Sequence, residues 1–309
     1  MSSTEIDARP AYRPYRASVS RVHRLTPHFI RVTFQDDEFT HFGTAGLDQR
    51  IKVVLPHPNG EYADFGQHDA AGDWYDRWRA LPEPDRNAFR TYTVRRIDPD
   101  ARELDIDFVV HHGAGPAGEW AEFAAPGQEL IIVGPDQRSP HSATGLDWHP
   151  GNATRVLLAG DETAAPAIGS ILEALDDSHD VDAFIEVACA EDFVPLACHG
   201  GFRVHWIARN ERAHGSSLIE AVGAWTERST DVLARAAAPR RQELDDIDVD
   251  RELLWDSPQD AEGEFYAWIA GEAATVKQLR RMLVTDRGVD RRRVAFMGYW
   301  RLGQSERTE

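Results

Sequence analysis

From Arg16 to Gly134 the chain alternates between hydrophobic and polar positions in short segments that turn-forming residues separate. The clearest case is Leu104–Val110, where every second residue is apolar. This period of two is typical of a β-strand with one face buried. The pattern predicts a small, six-stranded antiparallel barrel. Its expected strands are Arg16–Arg24, Phe29–Phe34, Arg50–Leu55, Arg90–Ile97, Leu104–Val110 and Glu129–Val133.

Two segments of different composition lie outside these strands. Residues Pro56–Asn87 are rich in glycine, aspartate and tryptophan, and we expect a long loop across the barrel mouth. Prolines at positions 135, 140 and 150, with polar residues between them, indicate a linker. We therefore place one domain at residues 1–137, the linker at 138–150 and a second domain at 151–309.

In the second domain, strand-like and helix-like patterns alternate. This alternation predicts a parallel sheet with helices on both sides. The expected strands are Arg155–Leu158, Ala183–Val187, Arg203–Ile207, Phe265–Ile269 and Val294–Met297. The expected helices are Ala164–Leu175, Ser217–Ala237 and Ala273–Thr285. The acidic segment Glu243–Glu252 predicts a solvated excursion between these elements.

The composition restricts the classes of partner. A formal net charge of −18 argues against nucleic acid, which binds to basic faces. No apolar run reaches the roughly 20 residues that span a bilayer, and the N-terminus lacks the features of a secretory signal. We therefore expect a cytoplasmic monomer without a membrane partner. Two cysteines are too few for an iron–sulfur cluster, which usually needs about four thiolates.

Two motifs carry candidate chemistry. Residues Arg90–Arg95 place a guanidinium, a phenol ring and a hydroxyl on a strand, which suits a flat, phosphorylated ligand such as a flavin nucleotide. Arg90 could form a fork to a pyrophosphate, Tyr92 could lie against a flavin ring, and Thr93 could bond to its edge. Residues Gly160–Pro166 follow an apolar strand and open a helix, where a dinucleotide usually binds. Together they suggest a flavin and a nicotinamide that face each other.

These motifs, with four others in the same order, resemble the siderophore-interacting protein family of flavin-dependent ferric-siderophore reductases, within the ferredoxin-reductase superfamily. The other segments are Leu25–Pro27 with Arg31–Phe34, His112–Ala121, Ala270–Ala273 and Gly298–Arg301. The resemblance implies a flavin-binding barrel followed by a nicotinamide-binding α/β domain. It also implies non-covalent FAD and electron flow from NADPH or NADH to a ferric chelate. The sequence leaves open which of the two dinucleotides is used.

The resemblance also implies which residues bind the cofactors. For FAD these are Arg90, Tyr92, Thr93, Arg95, His112, Gly113, Gly115, Pro116, Ala117 and Trp120. For the dinucleotide they are Gly160, Asp161, Thr163, Pro166, Arg209, Gly271 and Glu272, and Tyr299 and Trp300 at the chain end are further cofactor candidates. Tyr299 and Trp300 could cover the flavin or pack between domains. The chain has Gly118 and Glu119 where the family often has a hydroxyl residue and a basic one. Compared with the glycine-rich turn of ferredoxin reductases, it has Asp161 and Glu162 in place of small residues.

The remaining candidates concern the substrate. Arg50, Lys52, Lys277 and Arg301 could attract an anionic ferric siderophore, although each could also be an ordinary surface charge. We expect no metal site, because adjacent His111 and His112 would point to opposite faces of a strand. No catalytic acid or base is expected either, because the flavin carries the chemistry. The alternatives are an NAD(P)H-dependent flavin or quinone reductase on the same scaffold, and a non-catalytic siderophore-binding protein that retains FAD.

Overall fold

The chain forms two compact units, one ending at Leu146 and the other beginning at Asp147. The computed structural model describes residues 9–69, 72–110, 115–249 and 251–303. Each unit has its own sheet and its own buried core. Within the described ranges, no helix combines the length and the apolar character needed to cross a membrane.

The first unit is built on a seven-stranded antiparallel sheet. Its strands are β1 (Tyr12–Arg24), β2 (Phe29–Gln35), β3 (Arg50–Val54), β4 (Phe89–Thr93), β5 (Arg96–Asp98), β6 (Glu103–Val109) and β7 (Glu129–Pro135). In the sheet they are ordered β4-β3-β7-β1-β2-β6-β5. The two edge strands, β4 and β5, are thus neighbours in the chain. The sheet must curl for its edges to meet, so it forms a barrel.

The barrel closes at Val94 and Arg95. The Val94 N–H donates to the Gln49 carbonyl, just before β3, whereas the Arg95 N–H donates to the Asp105 carbonyl in β6, both at 3.0 Å. The alternation predicted one strand, Arg90–Ile97. The structure divides it, because the chain leaves one edge of the sheet here and joins the other. The antiparallel barrel is confirmed, with seven strands instead of six.

Among the described residues of this unit, two α-helices accompany the barrel, α1 (Trp74–Ala80) and α2 (Gly115–Glu122). Helix α1 lies within Pro56–Asn87, where we expected only a loop. Its Trp74 and Trp78, four residues apart, belong to an apolar cluster on the outer face of the barrel that includes Phe89. The barrel interior is a separate apolar core, which includes Val32, Phe34, Ile51, Ile106, Phe108 and Ile132.

The second unit is a mixed sheet with helices. Its strands are β8 (Arg155–Gly160), β9 (Asp180–Val187), β10 (Arg203–Ala208), β11 (Trp255–Asp256), β12 (Phe265–Glu272) and β13 (Val294–Trp300). Its helices are α3 (Ala165–Ala174), α4 (Ser216–Arg228), α5 (Thr230–Ala236) and α6 (Ala273–Arg280), which a π-helical turn (Arg281–Asp286) extends. The predicted parallel strands are confirmed, and β11 adds a short antiparallel edge beside β13.

One predicted helix is divided. Ser217–Ala237 was expected to be continuous, but Ser229 has a non-helical backbone, with φ −110° and ψ 28°, and separates α4 from α5. A serine can bond to nearby backbone groups in non-helical conformations, so it favours helix ends over helix interiors. The expected excursion Glu243–Glu252 lies in a part of the chain without regular secondary structure where it is described.

The strand order of the second sheet locates its ligand crevice. The order is β10-β9-β8-β12-β13-β11. Strands β9 and β10 are added on one side of β8, whereas β12 and β13 are added on its other side. The carboxyl ends of β8 and β12 therefore flank a topological switch point. In open α/β sheets, ligands bind in the crevice at such a point.

Candidate functional site

Strand β4 presents its predicted flavin residues on two faces. Arg90 and Tyr92 pair with Val53 and Ile51, whose side chains face the barrel interior. The Tyr92 ring lies 4.5 Å from the ring of Phe108, centroid to centroid. The opposite face carries Thr91 and the buried Thr93. Arg90 and Tyr92 can therefore approach one ligand from the same side of the strand, whereas Thr93 projects away from them.

Arg95 takes part in a charged cluster on β6. Its Nε lies 3.8 Å from Oδ2 of Asp107, a carboxylate that also accepts two hydrogen bonds from Arg31, at 2.7 and 2.8 Å. Asp107 is buried. The Asp107 charge is thus shared by two guanidinium groups.

The start of α2 retains part of the predicted phosphate cradle. His112 and Gly113 lie outside the described residues. Gly115 has φ +75°, and a Cβ at this position would meet no atom of the described residues within 4 Å. Ala117 is buried and Pro116 is exposed. Trp120 stacks on Phe34, with ring centroids 6.1 Å apart and planes 17° apart, so it also contributes to the barrel core.

The four substrate candidates differ in their surroundings. Lys52 donates to the Thr91 hydroxyl at 2.6 Å and shares its face of β3 with Arg50. In the second unit, Lys277 binds the Asp246 carboxylate at 2.7 Å, and Arg301 donates to the carbonyl of Glu252. The acidic segment therefore engages both Lys277 and Arg301.

At the switch point of the second unit, two glycines allow the chain to pack closely. A Cβ on Gly160 would lie 2.4 Å from the Ala164 Cβ and 2.7 Å from the Ala270 carbonyl oxygen. Gly271 has φ +141°, and a Cβ there would lie 2.6 Å from Oδ2 of Asp161. Both predicted glycines are thus required by contacts within the protein itself.

Asp161 links the elements around the switch point. Its Oδ1 accepts hydrogen bonds from the Thr163 N–H at 2.9 Å and from the Thr163 hydroxyl at 2.5 Å. Its Oδ2 accepts from the Glu272 N–H at 2.7 Å and from the Trp300 indole N–H at 2.9 Å. Burial, followed by the nearby Glu162 carboxylate, raises the pKa of Asp161. Asp161 therefore points into the protein and ties together β8, β12 and β13.

The neighbouring carboxylate, Glu162, is buried and forms an ion pair with the partly buried Arg209. The Arg209 guanidinium donates to both carboxylate oxygens, at 2.8 and 2.7 Å. Burial alone would raise the pKa of Glu162, but the nearby His214 imidazole and the Arg209 guanidinium lower it to about 2. Arg209, one of the residues predicted for the dinucleotide, is thus bound to the turn after β8.

The other candidates at this edge are held within the second unit. Pro166 is buried in the first turn of α3. Glu272 is the N-cap of α6, where its carboxylate accepts the Thr275 N–H at 2.9 Å. Tyr299 stacks on Trp255, with ring centroids 5.7 Å apart, and Trp300 is bound to Asp161.

Comparison with known proteins identifies the family of both units. A model described as a siderophore-interacting FAD-binding domain matches residues 18–139, and a model described as siderophore-interacting protein matches residues 153–303. The chain belongs to the siderophore-interacting protein family. The resemblance inferred from the sequence motifs is thereby confirmed.

Three relatives illustrate the extent of the similarity. A siderophore utilization protein from T. fusca has a solved structure with 30% identity and a TM-score of 0.70, covering 96% of this chain and 95% of that one. Ferric vibriobactin reductase ViuB of Vibrio cholerae is 26% identical over 282 residues, covering 91% of this chain and 87% of the relative. The ferredoxin reductase in carbazole 1,9a-dioxygenase shares the fold, with 14% identity and a TM-score of 0.57, covering 94% of this chain and 70% of that one. These relatives support a siderophore-related, FAD-binding oxidoreductase with a ferredoxin-reductase-like fold.

Two residues at the switch point of this siderophore-interacting protein were not predicted. His214, in the loop after β10, has a side chain that is nine-tenths buried, and its Nε2 lies 3.6 Å from Glu162 Oε2 and 3.9 Å from Asp161 Oδ2. Glu186, in β9, is fully buried and accepts the N–H groups of Gly215 and Leu218 at 2.7 and 2.9 Å. The only sequence signal for Glu186 is an acidic residue inside an apolar strand, and His214 carries none.

Proposed function

We propose that this protein is an FAD-dependent reductase that transfers electrons from NADH or NADPH to a ferric siderophore and releases the iron as Fe(II) in the cytoplasm. The observation that carries the proposal is the combination of an FAD-binding unit with a doubly wound sheet whose switch point is formed by the predicted dinucleotide residues. The name of the relative ferric vibriobactin reductase supports a ferric siderophore as the substrate class. We assign FAD binding to residues 1–137, the linker to 138–150 and dinucleotide binding to 151–309.

The described part of the first unit fits a flat, phosphorylated cofactor. Tyr92 offers an aromatic ring on the face of β4 that also carries Arg90. Gly115 offers backbone without a side chain at the start of α2. Arg90 and the α2 turn would hold the pyrophosphate, and Tyr92 would pack on the flavin ring. When bound, FAD supplies the chemistry that accepts a hydride from a nicotinamide and passes electrons singly to ferric iron.

The second unit fits a dinucleotide at the carboxyl edge of its sheet. Ser217 Oγ and both ring nitrogens of His214 are buried there without hydrogen-bond partners among the described residues. Buried polar atoms without partners are rare in folded proteins and indicate a missing ligand or water. The dinucleotide would lie over Gly160–Thr163 and Gly271–Glu272, with Arg209 and His214 beneath it.

For the substrate we propose the paired charges of β3, Arg50 and Lys52, as the principal attraction for an anionic ferric chelate. They lie on one face of one strand, two residues apart. Lys277 and Arg301 are the other two candidates; Lys277 already pairs with the Asp246 carboxylate, and Arg301 donates to the backbone carbonyl of Glu252. Reduction would release the iron, since hard oxygen ligands hold Fe(II) less tightly than Fe(III).

The test is the colour of the purified protein under anaerobic conditions. We expect a yellow protein with bound FAD that bleaches on addition of NADH or NADPH. Chemical reduction by dithionite serves as the control for an accessible flavin. A protein that bleaches with dithionite but stays yellow with both dinucleotides would be a siderophore-binding protein without this activity.

A further inference from the structure

The helix starts at the switch point are already occupied by acidic residues of the protein. Three helices begin at this edge, α3, α4 and α6. The N–H groups of Thr163, Ala164 and Ala165 all bond to Asp161, through its side chain or its carbonyl. Glu186 binds two N–H groups at the start of α4, and Glu272 binds one at the start of α6.

This arrangement weakens the usual means of binding an anion. In a doubly wound fold, the free N–H groups and the positive end of a helix dipole favour a pyrophosphate. Here carboxylates accept several of these N–H groups: Asp161 accepts that of Thr163 before α3, Glu186 accepts two at the start of α4, and Glu272 accepts one at the start of α6. An anionic dinucleotide therefore needs side-chain cations at this edge to offset the negative charge.

Two cationic side chains contact these carboxylates within the described chain, Arg209 and His214. Arg209 is committed to both oxygens of Glu162. His214 is the remaining group, since its Nε2 approaches Asp161 and Glu162 together and forms no hydrogen bond shorter than 3.5 Å. Its ring meets that of Trp300 edge to face, with centroids 4.9 Å apart and planes at 90°.

We propose that His214, as an imidazolium, is a positioning residue of the dinucleotide site, which holds Asp161 and Glu162 in place and lowers the negative potential that the coenzyme meets. This inference rests on the proposed function, because it takes the ligand of the switch point to be a dinucleotide. The charged groups that act on the imidazole are Asp161 and Glu162 before α3 and Arg209 after β10. Two further carboxylates lie one step away: Glu186 in β9 binds the N–H of Gly215, and the N–H of Glu272 at the start of α6 binds Asp161.

The balance of charges favours the protonated ring. Burial alone would lower the pKa of His214, but the Glu162 and Asp161 carboxylates outweigh it and raise this pKa above its usual value. A bound pyrophosphate would raise it further. Dinucleotide binding should therefore take up a proton, and affinity should be highest below the pKa of His214 in the free protein and fall as pH rises through it.

The experiment measures the affinity of the FAD-loaded protein for oxidised NAD and oxidised NADP by calorimetry from about pH 5.5 to 9, a range that spans the ordinary histidine pKa of about 6.5. We expect the wild-type affinity to fall about tenfold across this range, which corresponds to a rise of about one pKa unit on binding. His214→Gln should bind weakly at every pH, and His214→Arg, which keeps the charge, should bind tightly at every pH.

A matched control and a second readout separate this role from a structural one. His205→Gln removes another histidine of the same unit, whose Nε2 lies 3.7 Å from Asp182, and should leave the pH dependence of binding unchanged. Repeating the wild-type titration in buffers of different ionisation enthalpy should show proton uptake on binding, which His214→Gln abolishes.

Two results would overturn the inference. If the wild-type protein binds either dinucleotide with an affinity that is flat with pH and takes up no proton, His214 is not the positioning cation, although the proposed function stands. If it binds neither dinucleotide at any pH, the proposed function fails and this inference fails with it.

Discussion

Gly271 shows how single atoms determine the geometry of the switch point. Its φ of +141° is a conformation that side chains rarely adopt, and its missing Cβ leaves room for the Asp161 carboxylate. That carboxylate accepts the N–H of the next residue, Glu272, at 2.7 Å. The turn after β8 can therefore bind directly to the end of β12 only if residue 271 is a glycine.

We expect Gly271→Ala to lower the free energy of unfolding by about 1–3 kcal/mol, the cost of a disfavoured backbone conformation, with more from the contact to Asp161. The matched control is Gly223→Ala in α4, where a Cβ would meet only Met282 at ordinary contact distance. That change should raise stability by up to about 1 kcal/mol, because alanine favours a helix. Chemical denaturation of both variants checks this, and equal stabilities would contradict it.

The pair of Arg209 and the buried Glu162 leads to a second prediction. Arg209→Leu leaves a buried carboxylate without its partner, so the free energy of unfolding should fall by about 3–5 kcal/mol. Arg209→Leu combined with Glu162→Leu removes both charges and should recover most of that loss. The double-mutant cycle is measured by denaturant unfolding. Additive losses would show that the ion pair does not hold this turn.

At the residue scale, the sequence indicated the turn after β8 but not the electrostatics around it. Gly160 and Gly271 come at the ends of apolar runs, so their place at the strand ends could be inferred from the pattern. The inward direction of Asp161 could not be, because it depends on donors from β12 and β13, more than a hundred residues away. His214 lies in a loop without periodicity, and only the fold brings it to two carboxylates.

At the scale of single elements, a substitution in β4 tests the proposed flavin site. Arg90→Ala should reduce the FAD content of the purified protein, since one charged hydrogen bond to a phosphate contributes roughly 1.5–3 kcal/mol. The control is Arg16→Ala in β1, because Arg16 is exposed and pairs with Glu129 on the surface. The FAD-to-protein ratio, from absorbance, checks the result. Full occupancy in Arg90→Ala would refute the proposed role of Arg90.

A substitution in β3 tests the proposed substrate surface. Lys52→Glu should raise the KM for an anionic ferric chelate roughly three- to tenfold, because exposed ion pairs contribute up to about 1 kcal/mol and reversal turns attraction into repulsion. The KM for a neutral chelate and the rate of flavin reduction by NAD(P)H should change little. Lys277→Glu makes the same change of charge and should have a smaller effect, since Lys277 binds Asp246. An equal rise of this KM in both variants would indicate that the overall charge of the protein, and not a local site on β3, determines the affinity for the chelate.

Helices and strands were predicted correctly where the hydrophobic pattern extends over many residues. They were predicted poorly where contacts with distant parts of the chain determine the structure. The strand Arg90–Ile97 has one continuous pattern, yet it divides because barrel closure moves the chain between two partner strands. The two-residue strand β11 is too short to carry a pattern. Helix α1 does carry a signal, the four-residue spacing of Trp74 and Trp78, within a segment whose glycine and aspartate favoured a loop.

At the scale of the whole molecule, the hydrophobic pattern changes from a two-residue repeat in the first unit to alternating strand-like and helix-like segments in the second. This change was sufficient to predict a barrel followed by an α/β sheet. Six motifs in order were sufficient to predict the family. The net charge of −18 makes the approach of an anionic substrate a balance between long-range repulsion and local attraction. At physiological ionic strength, salt screens the interaction between exposed charges beyond about 8 Å. Arg50 and Lys52 can therefore outweigh the net negative charge only for a substrate that is already close to them.

The most direct measurement is of iron release by the reduced protein. The flavin is reduced anaerobically with one equivalent of NADH or NADPH, and an anionic ferric siderophore is then added with ferrozine, which traps Fe(II). We predict that the yellow colour returns while about two Fe(II) form per FAD, because a reduced flavin carries two electrons. The same mixture without protein gives the background. A flavin that stays bleached until oxygen is admitted, with no Fe(II) above that background, would contradict the account.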